Sequence, residues 1–226
     1  MEIAGLCIYA YLVGAVPSAY LIGKLARGID IREYGSGNLG GSNVASQVGK
    51  WWLVPSGMFD VLVKGASPVL IGHYISGLDQ YSPGLLLASA LAVAGHNWSV
   101  FTHFQGGRGI SVISGVLLAL SPYLFGAFLL VFAVGWLITR SSGIWALVAL
   151  TGLPFGALLL GKPAALIWFC LVVLMLVIMK RILSNGGPTP EGIPRKQVLL
   201  NRLLKDRDVD DRDQWIDRVP PATNYQ

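Results

Sequence analysis

Residues 110–138 read ISVISGVLLALSPYLFGAFLLVFAVGWLI, 29 residues without a charge. A helix crosses the hydrocarbon core of a bilayer with about 20 apolar residues, so this run is too long for one crossing. The break lies at Ser121–Pro122. Proline disfavours helix at the residue before it and is well placed at the first helical position. The run therefore divides into a helix ending near Leu120 and a second beginning at Pro122, the first of them short.

Similar runs lie on both sides, at 3–22, 51–71, 83–101, 143–160 and 164–179, giving seven apolar elements. Of the 226 residues, 54% are hydrophobic and 13% charged. Mean hydropathy is +0.60, and soluble domains carry about 25% charged residues. The expected fold class is all-α, a polytopic membrane protein of about seven transmembrane helices with glycine-rich cytoplasmic loops. Continuous Leu/Val/Ala runs exclude the alternating strands of an outer-membrane barrel. The first segment has no basic residues before its apolar run, so it reads as a retained span. Cys7 and Cys170 fall inside apolar runs and read as small buried hydrophobes. Residues 1–183 are expected to form the membrane domain. Residues 184–226 form a polar cytoplasmic tail whose mixed charges suggest a solvated helix or disorder.

Basic residues orient the spans. With the N-terminus outside, the inner segments hold Lys24, Arg27, Arg32, Lys50, Arg108, Arg140, Lys180 and Arg181, and an outer loop holds only Lys162. The expected location is the inner (cytoplasmic) membrane, with the C-terminus in the cytoplasm. The net charge of +5 fits contact with anionic lipid headgroups. Nothing specific points to nucleic acid.

Two polar loops interrupt the apolar pattern. In GSGNLGGSN, residues 35–43, glycines let the backbone close around a ligand, and Ser36, Asn38, Ser42 and Asn43 add donors. Such a loop can cradle phosphate, with Arg32 and Lys50 flanking it, or it can be a flexible turn. It matches neither a Walker nor a dinucleotide fingerprint. In GGRG, residues 106–109, Arg108 sits among glycines directly before a helix, a good anion clamp. His96, Asn97, Trp98 and His103 precede it; His96 can donate to a phosphate or orient a hydroxyl, and either histidine can instead be an interfacial hydrogen-bonding residue. Asp60 and Lys64 are one turn apart inside a span, either a functional pair or a self-neutralising one that locks helix packing. The turn 139–143 adds Arg140, Ser141 and Ser142 on the same side. Cations and donors with almost no carboxylates and no Ser-His-Asp constellation favour a polyanionic substrate. No metal-ligand spacing is present, and no cofactor is implied.

These residues carry a resemblance. GSGNLGGSNVASQVGK (35–50) and GHNWSVFTHFQGGRG (95–109) resemble the first two motifs of the bacterial acyl-phosphate:glycerol-3-phosphate acyltransferases, integral membrane enzymes. The resemblance implies seven spans, an external N-terminus and a cytoplasmic active site. It implies transfer of an acyl group from acyl phosphate to glycerol 3-phosphate, giving lysophosphatidate and phosphate in phospholipid synthesis, with membrane lipids around the enzyme. A transferase for another phosphorylated or hydroxylated acceptor, or a non-catalytic membrane protein or transporter, is the alternative. The implied catalytic residues are Ser36, His96, Arg108 and Ser141. The implied phosphate-binding set is Gly35, Gly37, Asn38, Gly40, Ser42, Asn43, Lys50, Lys64, Gly106, Gly107, Gly109, Arg140 and Ser142. The sequence departs from the family at Ser46, where an arginine is expected, at Ser99, and at Arg108, where lysine is usual. A third motif, anchored on Arg181, puts Met175 and Ile178 at positions of a histidine and an asparagine, and displaces Glu191. Arg140 is the expected replacement for the cation missing at Ser46; Lys180, Arg181 and Asn185 are further candidates near the third motif.

Overall fold

The computed structural model describes residues 2–185 and 192–219, all helix and loop with no strand among them. Helices α1 (Ile3–Ala15) and α2 (Ser18–Arg27) form one crossing broken at Pro17. A short helix, α3 (Gly41–Gln47), precedes α4 (Lys50–Ile75). Then come α5 (Pro83–Asn97), α6 (Ile110–Leu120), α7 (Pro122–Thr139), α8 (Ser142–Leu159) and α9 (Ala164–Leu183). The tail adds α10 (Arg195–Lys205) and α11 (Arg212–Ile216).

The division of the long apolar run falls at the proline. Ser121 is extended (φ −156°) and Pro122 starts α7. Among the described residues, six helical segments have the length and apolarity of a crossing. The fourth of the seven expected elements, α6, has eleven residues. At about 1.5 Å per residue it is roughly 16 Å long, about half a bilayer core. It nevertheless links the two ends of the bundle. Gly109 caps it beside the glycine loops, and the carbonyl of Leu120 at its other end accepts Gln80 Nε2 (2.8 Å) and Tyr81 Oη (3.2 Å).

Helix α6 is seated against α4 through small residues. A Cβ on Gly115 would lie 1.9 Å from the carbonyl oxygen of Val61, and one on Gly65 would lie 2.3 Å from that of Val112. Small residues let helix backbones meet where water supplies no hydrophobic drive. Residues 59–66 of α4 wind as a π-helix. Pro68, which has no N–H for an ordinary helical bond to Lys64, follows directly. The wide turn carries Asp60 and Lys64 inward, where both are buried. Around them Leu6, Leu85, Val93, Ile113, Leu117, Leu150, Leu166 and Val173 form one packed core. Leu130, Leu158, Leu159 and Trp168 are exposed on the outside, the surface of a multi-pass membrane protein in contact with acyl chains.

Candidate functional site

The first glycine loop is braced from within. Asn43, near the start of α3, donates to the carbonyls of Ile31 (3.1 Å) and Tyr34 (3.2 Å) and accepts from the Ser36 N–H (3.2 Å). Its amide is fully used in shaping the loop. The Ser36 hydroxyl accepts from the Asn38 N–H (3.3 Å). Asp30 forks onto Arg32, with Nη2 to Oδ2 at 2.6 Å and Nε to Oδ1 at 2.9 Å. That hydrogen bond holds the Asp30 carboxyl below its ordinary pKa and raises that of Arg32.

The second loop folds back on the helix it leaves. Gly107 N–H donates to the His96 carbonyl (3.0 Å). Arg108 is buried; its Nη1 donates to the Lys180 carbonyl (2.9 Å), and its Nε pairs with Asp206 of the tail at 2.6 Å. Asn38, with its amide turned to satisfy both ends, donates to the Gly106 carbonyl (2.9 Å) and accepts from Arg108 Nε (3.3 Å).

Asn185, just past α9, joins the two loops. Its Nδ2 donates to the carbonyls of Gly37 and Gly106, both at 3.1 Å, and its Oδ1 accepts from the Gly106 N–H at 3.2 Å. Segments 148 and 79 residues away are thus fixed by one side chain.

Beneath the loops lies a buried polar chain. Lys64 and Asp60 pair at 2.6 Å, with side chains 2% accessible. Ser18 donates to Asp60 Oδ1 (2.9 Å) and accepts from Lys64 Nζ (3.0 Å). Lys64 Nζ also stands 3.3 Å from His96 Nδ1. An ammonium only donates, so Nδ1 accepts and the ring proton resides on Nε2. Nε2 faces Gly107, where a Cβ would sit 2.0 Å from it.

Several expected site residues lie elsewhere. Arg140 is exposed with its guanidinium 5.5 Å over the Trp136 ring, so it does not stand in for a cation at Ser46. The helix that begins at Ser142 points that turn outward. Ser141 and Ser142 form no side-chain hydrogen bond to the glycine loops among the described residues. Instead the carbonyl of Gly143 approaches, accepting Arg181 Nη2 at 2.8 Å. Lys50 is exposed over Trp51, and Ser42 is exposed with its carbonyl bound by Ser46 Oγ. Gly40 and Gly109 start α3 and α6 through their carbonyls, and Gly35 N–H donates to the carbonyl of Arg218. Met175 is exposed on the outer face of α9 and Ile178 is half-buried. Glu191 lies outside the described residues. Ser18 escaped sequence reasoning, because one serine in an apolar run carries no pattern.

Beside the Asn185 joint is a polar cavity of about 350 Å³, lined by Arg32, Ser36, Gly37, Gln105 and Asn185, by the carboxylates of Asp30 and Asp208, and by Trp215 and Arg218 of the tail. The nearby carboxylates are mostly committed: Asp30 to Arg32, Asp60 to Lys64, Asp206 to Arg108 and Asp208 to Arg202. Glu33, also on the lining, is exposed. Such a site can hold anions and polarise a carbonyl. It has little to offer as a carboxylate base.

A family model for glycerol-3-phosphate acyltransferase matches residues 4–185. The chain is 35% identical over 221 residues to glycerol-3-phosphate acyltransferase 4 of Dehalococcoides mccartyi (strain CBDB1), covering 94% of this chain and 92% of that protein. It is 40% identical over 148 residues to the glycerol-3-phosphate acyltransferase of Bacillus subtilis (strain 168), covering 62% and 70%. Its fold is similar to crystal structures of PlsY (YgiH), an integral membrane glycerol 3-phosphate acyltransferase. The glycerol 3-phosphate form aligns with TM-score 0.76 at 29% identity, over 92% of this chain and 94% of that one. The lysophosphatidic acid form aligns with TM-score 0.75 at 28% identity, over 95% and 97%.

Proposed function

Since the chain belongs to the glycerol-3-phosphate acyltransferase family and moves an acyl group onto glycerol 3-phosphate in phospholipid synthesis, we propose that its donor is an acyl phosphate and that the joined glycine loops hold both phosphates. The observation that carries this reading is the Asn185 bridge, which fixes Gly37 and Gly106 together beside Asn38 and Arg108. Two loops rich in N–H groups, with a buried guanidinium between them, suit two phosphate-bearing substrates.

The reaction is a direct displacement at an already activated carbonyl. The 1-hydroxyl oxygen of glycerol 3-phosphate attacks the acyl carbon. The bond from that carbon to the phosphate oxygen breaks, and its electron pair leaves on phosphate. The hydroxyl proton goes to the departing phosphate, whose second pKa is about 6, since the buried and half-buried carboxylates nearby are paired with cations. His96 acts as a donor through Nε2–H, since Lys64 occupies Nδ1. Fixed donors aimed at developing charge, together with close alignment of the two substrates, supply the acceleration. Arg108 holds the Asp206 carboxylate here; the donor phosphate, a stronger bidentate partner for guanidinium, exchanges with it.

The loop end of the bundle faces the cytoplasm. It carries Arg27, Arg32, Lys50, Arg108, Arg140, Lys180 and Arg181, whereas Lys162 lies at the far end, bonded to Tyr81. The bilayer is the inner membrane, and both termini follow from this placement, N-terminus outside and C-terminus inside.

The test is turnover by the purified protein in detergent. Acyl phosphate and glycerol 3-phosphate should disappear as lysophosphatidate and inorganic phosphate appear in equal amounts. Phosphate release without ester, or faster transfer to another acceptor in a panel of hydroxyl compounds, would overturn the assignment.

A further inference from the structure

We propose that the C-terminal tail supplies a substrate-binding residue to the acyl-transfer site: Arg218, laid over Trp215, takes the phosphate of the glycerol 3-phosphate acceptor. This rests on the reading above and names a residue for it outside the glycine loops.

The tail is bound to the first loop at its backbone. Gln47 Nε2 donates to the Ile216 carbonyl (2.7 Å), and Gly35 N–H donates to the Arg218 carbonyl (2.8 Å). These bonds bring the Arg218 guanidinium to Gly37, where Nη2 lies 2.8 Å from the position a Cβ would take. The guanidinium carbon sits 5.2 Å from the Trp215 ring centroid, which fixes the plane of its fork. Trp215 itself is buried.

Most of the surrounding guanidiniums are engaged with carboxylates or carbonyls. Arg32 is forked onto Asp30, and Arg202 onto Asp208 at 2.6 and 3.0 Å. Arg108 holds Asp206 and the Lys180 carbonyl. Arg181 gives Nη1 and Nη2 to the carbonyls of Leu203 and Gly143, both at 2.8 Å, although its Nε is also unmet. Arg218 has no salt bridge among the described residues, and its Nε is buried without a hydrogen-bond partner. A buried donor left unmet is costly, and a phosphate oxygen would satisfy this one. Helix α3, with the sequence GSNVASQ, brings no cation of its own.

The cavity that Arg218 lines is polar; Ser36, Gln105 and Asn185 wall it beside the carboxylates of Asp30 and Asp208, each paired with an arginine, and the exposed Glu33. It suits a small, wholly polar phosphate monoester. The acyl phosphate carries a long apolar chain that must lie among the helices, so its phosphate belongs to the Arg108 side of the Asn185 joint.

Steady-state kinetics of full-length Arg218→Gln and Arg218→Lys test the assignment, with each substrate varied in turn. A charge-assisted hydrogen bond lost from a bound phosphate raises KM about tenfold or more. Arg218→Gln should show that rise for glycerol 3-phosphate, with less than about a twofold change for acyl phosphate. Arg218→Lys should recover part of it, because charge returns without the fork. Glycerol 3-phosphate should also raise the melting temperature of the wild type more than that of either variant, a readout that needs no turnover. Unchanged KM values, equal rises for both substrates, or a fall in kcat that merely follows a lower melting temperature would overturn the proposal. Any of these with an active wild type leaves the acyl transfer standing; an inactive wild type removes the reading beneath it.

Discussion

Replacing Lys64 by methionine should separate two roles of the buried polar chain. In the folded protein Asp60 meets Lys64 at 2.6 Å and Ser18 at 2.9 Å, with both charged side chains 2% accessible. After Lys64→Met, only the serine remains, and a carboxylate is stranded among helices. Breaking a buried pair in this way costs about 3–5 kcal/mol. For a chain of this size each kcal/mol moves the melting temperature by about 2–4 °C, so a fall of roughly 6–20 °C is expected. Replacing the partner as well, Asp60→Leu with Lys64→Met, should return most of that loss, since a paired charge and a packed apolar pair are often close in stability. Activity should not return. His96 Nδ1 loses the donor that places its proton on Nε2, and loss of one positioned donor costs about a hundredfold in kcat. The assay is thermal unfolding and initial-rate acyl transfer on the same three detergent-purified proteins. A double variant with wild-type turnover would refute the reasoning, as would a single variant that melts like the wild type.

Gly107→Ala should cut turnover through sterics alone. The new methyl would stand 2.0 Å from His96 Nε2, and overpacking of this kind costs about 1–3 kcal/mol; a crystal structure or melting curve with an unmoved ring would contradict it. Asn185→Ala should separate the two loops and lower kcat/KM for both substrates together, because the carbonyls of Gly37 and Gly106 lose a shared donor; a change confined to one substrate would count against a joint. Asp30 titrates below its ordinary pKa because of Arg32. A depressed carboxyl contributes stability above its unfolded pKa, about 3.9, and loses it as pH falls through the folded value. The wild type should therefore lose stability more steeply than Asp30→Asn below about pH 4, and parallel profiles would remove that contribution.

The membrane fold was legible because apolar runs and a single Ser-Pro step obey local rules. Ser121 extends and Pro122 begins a helix as sterics demand. The two glycine loops were legible as polar interruptions of the apolar pattern, open to reading as phosphate cradles or as flexible turns. What joins them was harder to see. Asn185 acts on residues 148 and 79 positions away, and one asparagine after a span leaves no periodic trace. Lys180 and Arg181 read as topology signals and as candidates near the third motif, and both are buried. Arg140 has the charge and side expected of a ligand, but the geometry of its turn lays it over Trp136. The tail reads as solvated from its mixed charges. Instead Asp206 pairs with Arg108 of the second loop, Asp208 pairs with Arg202 inside the tail, and the tail buries Val198, Asn201 and Trp215.

The central claim is that both glycine loops, held together by Asn185, receive the phosphates of the two substrates. Glycerol 3-phosphate bound to this protein, seen crystallographically, tests it most directly. The account places the acceptor phosphate in the cavity lined by Ser36, Gly37 and Asn185, with its 1-hydroxyl directed toward His96 and Arg108. A phosphate bound away from both loops, at the exposed Arg140 turn or at the far end near Lys162, would contradict it.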